Sequence, residues 1–251
     1  MRLDQYIATN FGYTRNRAQF LIDEKLVKVN GKLATKNSLQ IEEWDIVEIQ
    51  DDKRTNYVAR SALKLDAFLE ETEIVIKDKI CVDVWASTGW FTQVLLERWA
   101  KEVYAVDVWS SQLHEKVKAE SRVISLENQD IRNLDKDIIK WKVDFIVVDV
   151  SFISLSKVID SLIVISDSWT EMILLYKPQF EVGRKNLKKS WIPINKQVIT
   201  QSLDKFKKLC KEKNLKITKI SESKLPGEAG NIEFFIYLHN SAGFSDWIQK
   251  S

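Results

Sequence analysis

Five short runs rich in β-branched residues punctuate the middle of the chain: Ile80 to Val84, Val103 to Val108, Val123 to Glu127, Phe145 to Val150 and Ile173 to Tyr176. Segments of about 10 to 20 residues with helical spacing separate them, which is the pattern of βαβ units. Such runs are apolar on both sides, as strands of a parallel sheet covered on both faces must be. The end of the chain differs. Lys216 to Ser223 and Glu233 to Leu238 are joined only by a loop containing Pro226-Gly227, so an antiparallel hairpin is expected to close the sheet.

The first 50 residues follow another rhythm. Leu3, Tyr6 and Ile7 form an apolar stripe, Arg15 to Leu26 has helical spacing, and Val27 to Val29 and Ile46 to Ile49 read as short strands. Asn30-Gly31 is a tight-turn dipeptide after the first of them. The polar run Gln50 to Tyr57 is the expected linker. The predicted class is therefore α/β: a small α+β module over 1–56, then a Rossmann-like sheet domain over 57–251, parallel with an antiparallel C-terminal hairpin.

Composition narrows the class. The chain has 251 residues, 45% hydrophobic and 29% charged, enough apolar material for a real core. The longest apolar runs, around Phe145 to Val150 and Met172 to Tyr176, fall far short of the roughly 20 residues that cross a bilayer. The charged N-terminus lacks the apolar core of a secretory signal. Two cysteines (Cys81, Cys210) and two histidines (His114, His239) supply neither a disulfide framework nor a usual zinc site. A cytoplasmic chain without membrane or metal partners is the expectation.

Net charge is only +2, yet Arg184 to Lys219 carries twelve Lys or Arg against Asp204 and Glu212. Such a segment points to a polyanionic partner, or else to a solvated helix face.

In open α/β sheets ligands bind beyond the carboxyl ends of the strands, at the switch point. After the first strand of the sheet, Asp83 to Phe91 turns into a helix through the small residues Ala86, Ser87, Thr88 and Gly89. Neither G-x-G-x-x-G nor a Gly-Lys-Ser/Thr phosphate loop is present, so a dinucleotide or ATP site is disfavoured. Asp107 ends the next strand, where a carboxylate can accept a ribose hydroxyl pair, and Asn128, Gln129 and Asp130 follow the third. Aspartates at three successive strand ends (83, 107 and 130) suit S-adenosylmethionine, whose sulfonium and amino groups are cationic. They equally suit helix caps.

These residues resemble the TlyA-type ribosomal RNA 2′-O-methyltransferases, also called the haemolysin A family and related to FtsJ methyltransferases. The matching motifs are ARSALKL from Ala59, DVWASTGWFTQVLL from Asp83, VYAVDV from Val103, VVDVSFISL from Val147, KPQFEVGR from Lys177 and GNIEFF from Gly230. The first module resembles the ribosomal-protein-S-four-type RNA-binding domain through TRNRAQFLI from Thr14 and KVNGK from Lys28. The resemblance implies S-adenosylmethionine as donor, held by Asp83, Trp85, Ala86, Ser87, Thr88, Gly89, Phe91, Asp107, Asp130 and Asp149. It implies ribosomal RNA or ribosomal subunits as partner, contacted by Arg15, Arg17, Lys28, Lys32, Arg60 and Arg184, and cytidine ribose as target.

It also implies a catalytic tetrad of Lys64, Asp149, Lys177 and Glu233. Methyl transfer to a ribose hydroxyl is an in-line displacement in which the oxygen loses its proton as it attacks. A lysine serves as base only when burial or a neighbouring cation lowers its pKa. Lys177 is the candidate for base or for polarising the hydroxyl. Lys64 would assist electrostatically or hold the target phosphate, Asp149 would orient the lysines and face the methyl end of the donor, and Glu233 would complete the charge network. Ser151, Phe152 and Ser154 are expected to shape the target-nucleotide pocket, with Phe180 and Arg184 suited to stacking and phosphate contact.

One composition anomaly bears on this. The chain has nine Trp and seven Gly, where average usage gives roughly 17 Gly in such a length. Against the family pattern, tryptophan stands where glycine is expected at Trp85, Trp90, Trp99 and Trp109, and also at Trp44, Trp169 and Trp191. An indole at a cofactor turn can neither adopt positive φ cheaply nor let backbone approach a ligand. Two explanations are open: a UGA codon that means glycine in the source organism, or real substitutions that close the donor pocket. The second would leave a non-catalytic RNA-binding protein. A membrane-damaging haemolysin finds no amphipathic or apolar segment to insert.

Overall fold

In the computed structural model, residues 1–50, 52, 57, 61–139 and 142–241 are described, Asn16 and Glu228 through their backbone only. They fall into two compact units, Met1–Leu63 and Lys64–Ser251.

In the first unit α1 (Leu3–Phe11) ends at Gly12 with φ +72°, and α2 (Arg15–Asp23) starts under the Thr14 hydroxyl, which accepts the Arg17 N–H at 3.2 Å. Strands β1 (Val27–Val29), β2 (Lys32–Leu33) and β3 (Val47–Ile49) form an antiparallel sheet in the order β2-β1-β3. The β1–β2 hairpin turns through Asn30 and Gly31, both with positive φ, as a type I′ turn requires. Leu3, Ile7, Leu21, Ile22, Leu26 and Val27 make the core.

Asp4 lies buried beside that core. Its carboxylate accepts from Arg2, from Arg15 at 3.0 Å and from the Gln19 amide at 3.0 Å, which ties the two helices together. The Arg2 guanidinium, followed by Gln19 and Arg15, holds the Asp4 carboxyl well below the usual carboxylate range.

Helix α3 (Ala62–Thr72) carries the chain from the first unit into the second. The alternation then runs β4 (Ile80–Val84), α4 (Trp90–Glu97), β5 (Glu102–Val106), α5 (Glu115–Lys118), β6 (Val123–Leu126), β7 (Phe145–Val148), α6 (Ile159–Ile165), β8 (Glu171–Tyr176) and α7 (Pro178–Glu181). The chain continues through α8 (Lys196–Glu212), β9 (Leu215–Glu222) and β10 (Phe234–Asn240). The sheet order is β6-β5-β4-β7-β8-β10-β9. Strands β4 to β8 are parallel, and β10 runs antiparallel to both β8 and β9.

The C-terminal hairpin expected from the sequence is present, but its second strand lies inside the sheet and its first at the edge. Apolar FFIYL of β10 is largely buried between neighbours. Lysine-bearing β9 alternates toward solvent, which protects an edge from further pairing. The order reverses between β4 and β7, so the crevice for a ligand opens at their carboxyl ends. Asp83, Asp107 and Asp149 lie at or just beyond the ends of β4, β5 and β7.

The Asp4 cluster gives the fold its first test. A carboxyl whose folded pKa lies below the ordinary 3.8 stabilises the native state above that pH, and the gain is lost as the pH falls below it. Asp4→Asn is expected to lower the stability of the N-terminal unit at pH 7 and to remove this acid-side dependence. Chemical denaturation of both chains between pH 7 and pH 2 checks it; equal stability at pH 7 would show the cluster to contribute nothing.

Candidate active site

Charge burial organises the carboxyl edge of the sheet. Lys64, from the first turns of α3, places its Nζ 2.7 Å from Glu233 Oε2, and both side chains are more than nine-tenths buried. Lys177, directly after β8, sits 2.7 Å from Asp149 Oδ1, and its Nζ also donates to Ser151 Oγ at 2.7 Å. Desolvation pushes the Asp149 carboxyl up; Lys177 and, more weakly, Lys64 pull it down, and Glu233 pushes it up again. Those influences bring the four residues into one electrostatic group, although they come from four distant stretches of sequence.

The donor-side residues of the sequence analysis gather around the β4 turn. Asp83 is wholly buried; its Oδ2 accepts from the Thr92 N–H and hydroxyl at 2.8 and 2.7 Å, while Oδ1 has no partner among the described residues. Burial, with Asp149 and Asp107 adding to it against the Thr92 bonds, raises its pKa to about 7. Asp107 accepts the Ser87 N–H at 2.6 Å and the Trp109 N–H at 2.8 Å, which locks the β4 turn to the end of β5. Ala86 is buried, Ser87 and Thr88 are half-buried, and a Cβ on Gly89 would lie 2.7 Å from Leu113 and 2.9 Å from Val117. Phe91 is fully buried in the core, and Asp130 closes on Arg132. Trp85 packs against the apolar core, and Trp109 is 64% exposed.

Of the RNA candidates, Arg15 pairs with Asp4, Arg17 lies over the Phe20 ring at 4.6 Å, Lys28 is half-buried on β1, and Lys32 is exposed on β2. Arg184 is exposed and lies over Trp191 at 4.9 Å. Arg60 lies outside the described residues. Phe152, 81% exposed, meets Phe180 with ring centroids 5.2 Å apart at the rim of a cavity of about 260 Å³ that Gln179, Trp191 and Asn231 also line.

Three residues at the site were not singled out by the sequence. Glu181 accepts from Ser154 Oγ at 2.6 Å and from the Leu155 N–H at 2.8 Å, joining the loop after β7 to the helix after β8. Thr92 holds Asp83. Gly227 lies so close to Glu233 that a Cβ there would fall 2.1 Å from Oε1. Only the Pro-Gly dipeptide hinted at the last of these. Among the described residues no group of three or more His, Cys, Asp and Glu is placed to hold a metal ion, and no helix is long and apolar enough to cross a membrane.

Fold and site together define a methyltransferase-type α/β enzyme unit carrying a small additional domain. The FtsJ-like methyltransferase model matches residues 57–240, and the S4 domain model matches residues 1–47. The chain belongs to the FtsJ-like methyltransferase family, in the branch that carries an N-terminal S4 domain. It is 36% identical to the 23S rRNA (cytidine-2′-O)-methyltransferase TlyA of Campylobacter jejuni, over 94% of this chain and 98% of that one. It is 33% identical to the 16S/23S rRNA (cytidine-2′-O)-methyltransferase TlyA of Mycobacterium tuberculosis, over 90% and 84%. A solved structure of a Streptococcus thermophilus protein named as a hemolysin matches all of this chain and 94% of its own, with 29% identity and a TM-score of 0.74.

The buried Asp83 predicts a pH effect of opposite sign to that of Asp4. A carboxyl that holds its proton to about pH 7 when folded, but to 3.8 when unfolded, stabilises the native state below 3.8 and loses that contribution as pH rises through 7. Asp83→Asn is expected to gain stability relative to the parent as pH rises from 4 to 7. Denaturation midpoints across that window would sink the expectation if the difference stays flat.

Proposed function

We propose that this chain transfers a methyl group from S-adenosylmethionine to the 2′-hydroxyl of a cytidine ribose in ribosomal RNA. The single observation that carries the reading is the buried Lys177–Asp149 pair, set beside Lys64–Glu233 at the carboxyl edge of a methyltransferase sheet. The relatives named as rRNA (cytidine-2′-O)-methyltransferases support the substrate and its position.

The residues present fit the donor. A buried carboxylate oxygen of Asp83 without a partner is what a cationic ligand satisfies, and Asp107 and Asp149 extend the negative potential along the same edge. Asp83, Asp107 and the turn Ala86 to Gly89 would hold the donor, which when bound supplies an electrophilic methyl group on sulfur.

Lys177, an ammonium paired with Asp149, is the group that meets the ribose hydroxyl; it holds and polarises the oxygen for attack, and the hydroxyl proton passes to water as the oxygen takes the methyl group. Asp149 fixes the Lys177 amine in direction, and Ser151 holds it from the other side. Lys64, closed on Glu233, stabilises the group electrostatically rather than gripping phosphate. Phe152 and Phe180 offer a stacking surface for the target base. Lys28 and Lys32 on the S4 unit, with the lysines of α8, supply phosphate contacts, as befits a protein working where ribosomes are, in the cytoplasm.

Transfer of labelled methyl from S-adenosylmethionine to isolated ribosomal subunits tests the reading. Lys177→Ala is expected to slow transfer by about 10²-fold or more with donor affinity retained; undiminished transfer would overturn the assignment. Calorimetry carries the second expectation. A chain with Trp85, Trp90 and Trp109 all changed to Gly should bind S-adenosylmethionine more tightly than the chain as written. RNA binding by both without donor binding by either would favour a non-catalytic RNA-binding protein.

A further inference from the structure

Fourteen non-glycine residues among those described have positive φ, and four of them are tryptophans: Trp85 (72°), Trp99 (64°), Trp169 (77°) and Trp191 (60°). The described tryptophans number seven in all, so more than half occupy the left-handed region that a bulky L-residue avoids. Three of the four, Trp99, Trp169 and Trp191, stand at turn positions whose hydrogen bonds define a glycine site, and Trp85 directly follows β4.

Trp99 follows α4. The Trp99 N–H donates to Leu96 O at 3.0 Å and the Ala100 N–H to Leu95 O at 3.0 Å. That pair of bonds is the Schellman motif, with Trp99 at the C′ position where glycine is the usual residue. Trp169 is the third residue of the turn Asp167 to Thr170, closed by the Thr170 N–H on Asp167 O at 3.1 Å. Positive φ at that position makes it a type II turn, which calls for glycine there.

Trp191 ends a three-residue hairpin loop. The Trp191 N–H donates to Lys188 O at 3.1 Å and the Lys188 N–H to Ile192 O at 2.8 Å, a type I turn followed by one left-handed residue. At Trp85 the chain leaves β4 with two successive N–H groups, of Trp85 and Ala86, on the single carbonyl of Val106 at 2.8 and 3.0 Å. With φ 72° in the first residue beyond the strand, the chain turns there through a conformation that glycine adopts at no steric cost.

Trp85 packs its indole against the apolar core, and the other three lie at the surface. The indoles of Trp99, Trp169 and Trp191 are 70%, 58% and 46% exposed. Trp169 stacks on His239, and the Arg184 guanidinium lies over Trp191. Nearby, Trp90 buries an indole N–H that finds no acceptor among the described residues.

We infer that positions 85, 99, 169 and 191 are glycine in the protein as its own cell makes it, encoded by UGA codons read there as glycine. Of the two explanations the sequence left open, turn geometry selects this one, and it does so independently of any enzymatic reading. At position 85 it restores a residue without a side chain to the turn after the first strand of the sheet.

Peptide mass spectrometry of the protein purified from its source organism is the direct test. Glycine at the four positions is expected; tryptophan at them overturns the inference. In recombinant protein, Trp99→Gly and Trp169→Gly are each expected to raise Tm by about 2–4 °C, while Trp99→Ala and Trp169→Ala give less than half of that gain, because alanine meets the same left-handed penalty. Equal gains from alanine and glycine would locate the effect in removal of an exposed indole and count against a glycine site. Reading the gene adds a third arm: UGG codons at these positions are incompatible with the inference.

Discussion

Four charged side chains share one nearly water-free edge of the sheet, and the rest of the second unit is arranged so that they can. An unpaired charge in such a place costs several kcal/mol, and removing one member of a buried pair exposes the other to about 3–5 kcal/mol of destabilisation. Lys64 therefore needs Glu233, and Lys177 needs Asp149. Each pair joins elements far apart in sequence: α3 to the residue before β10, and the end of β8 to the end of β7. β10 must be inserted beside β8 for Glu233 to arrive, which the apolar character of its strand secures. The polar chemistry of the site and the topology of the sheet are thus one constraint seen from two sides.

The carboxylates divide into two kinds by what they can reach. Asp149 has a lysine at 2.7 Å, whereas among the described residues Asp83 has only hydroxyl and amide donors on one oxygen and none on the other. The first remains a partner for an ammonium group within the chain. The second stays protonated up to about pH 7 unless a cation joins it, and a positively charged ligand binding there would release that proton. Binding of a cation at that oxygen would then be linked to release of its proton.

Much of the architecture was legible because burial on both faces leaves a plain mark: the runs starting near residues 80, 103, 123, 145 and 173 became the five parallel strands. The type I′ turn at Asn30-Gly31 was equally plain. The interior position of β10 was not, since periodicity identifies a hairpin without saying which of its strands faces the older sheet. The charged group was legible only through resemblance. Lys64 alone looks like any exposed helix lysine, and nothing in its neighbours announces Glu233, 169 residues away. Arg15 shows the converse: it reads as a free basic residue, but a buried aspartate eleven residues earlier occupies it. Glu181, Thr92 and Gly227 escaped notice because their roles are to hold other residues, and a role of that sort has no local pattern.

Tryptophan at turns is where residue and conformation disagree. Natural chains are locally consistent, each turn carrying the residue its dihedral angles favour, and this chain obeys that rule at Gly12, Gly31, Gly89 and Gly183, all left-handed in φ. The same structure violates it with the same residue type four times, at three different kinds of turn and at the exit from β4. Strain that serves a function is expected at a site rather than scattered over the fold, and Phe152, with φ +63°, lies at the rim of the cavity. Two of the four tryptophans, Trp99 and Trp169, instead lie at a helix end and at the connection into β8, away from that cavity, where strain has nothing to serve. A common cause outside the fold, acting on one residue type wherever it occurs, accounts for that distribution, and the backbone records the residue the turns were built around.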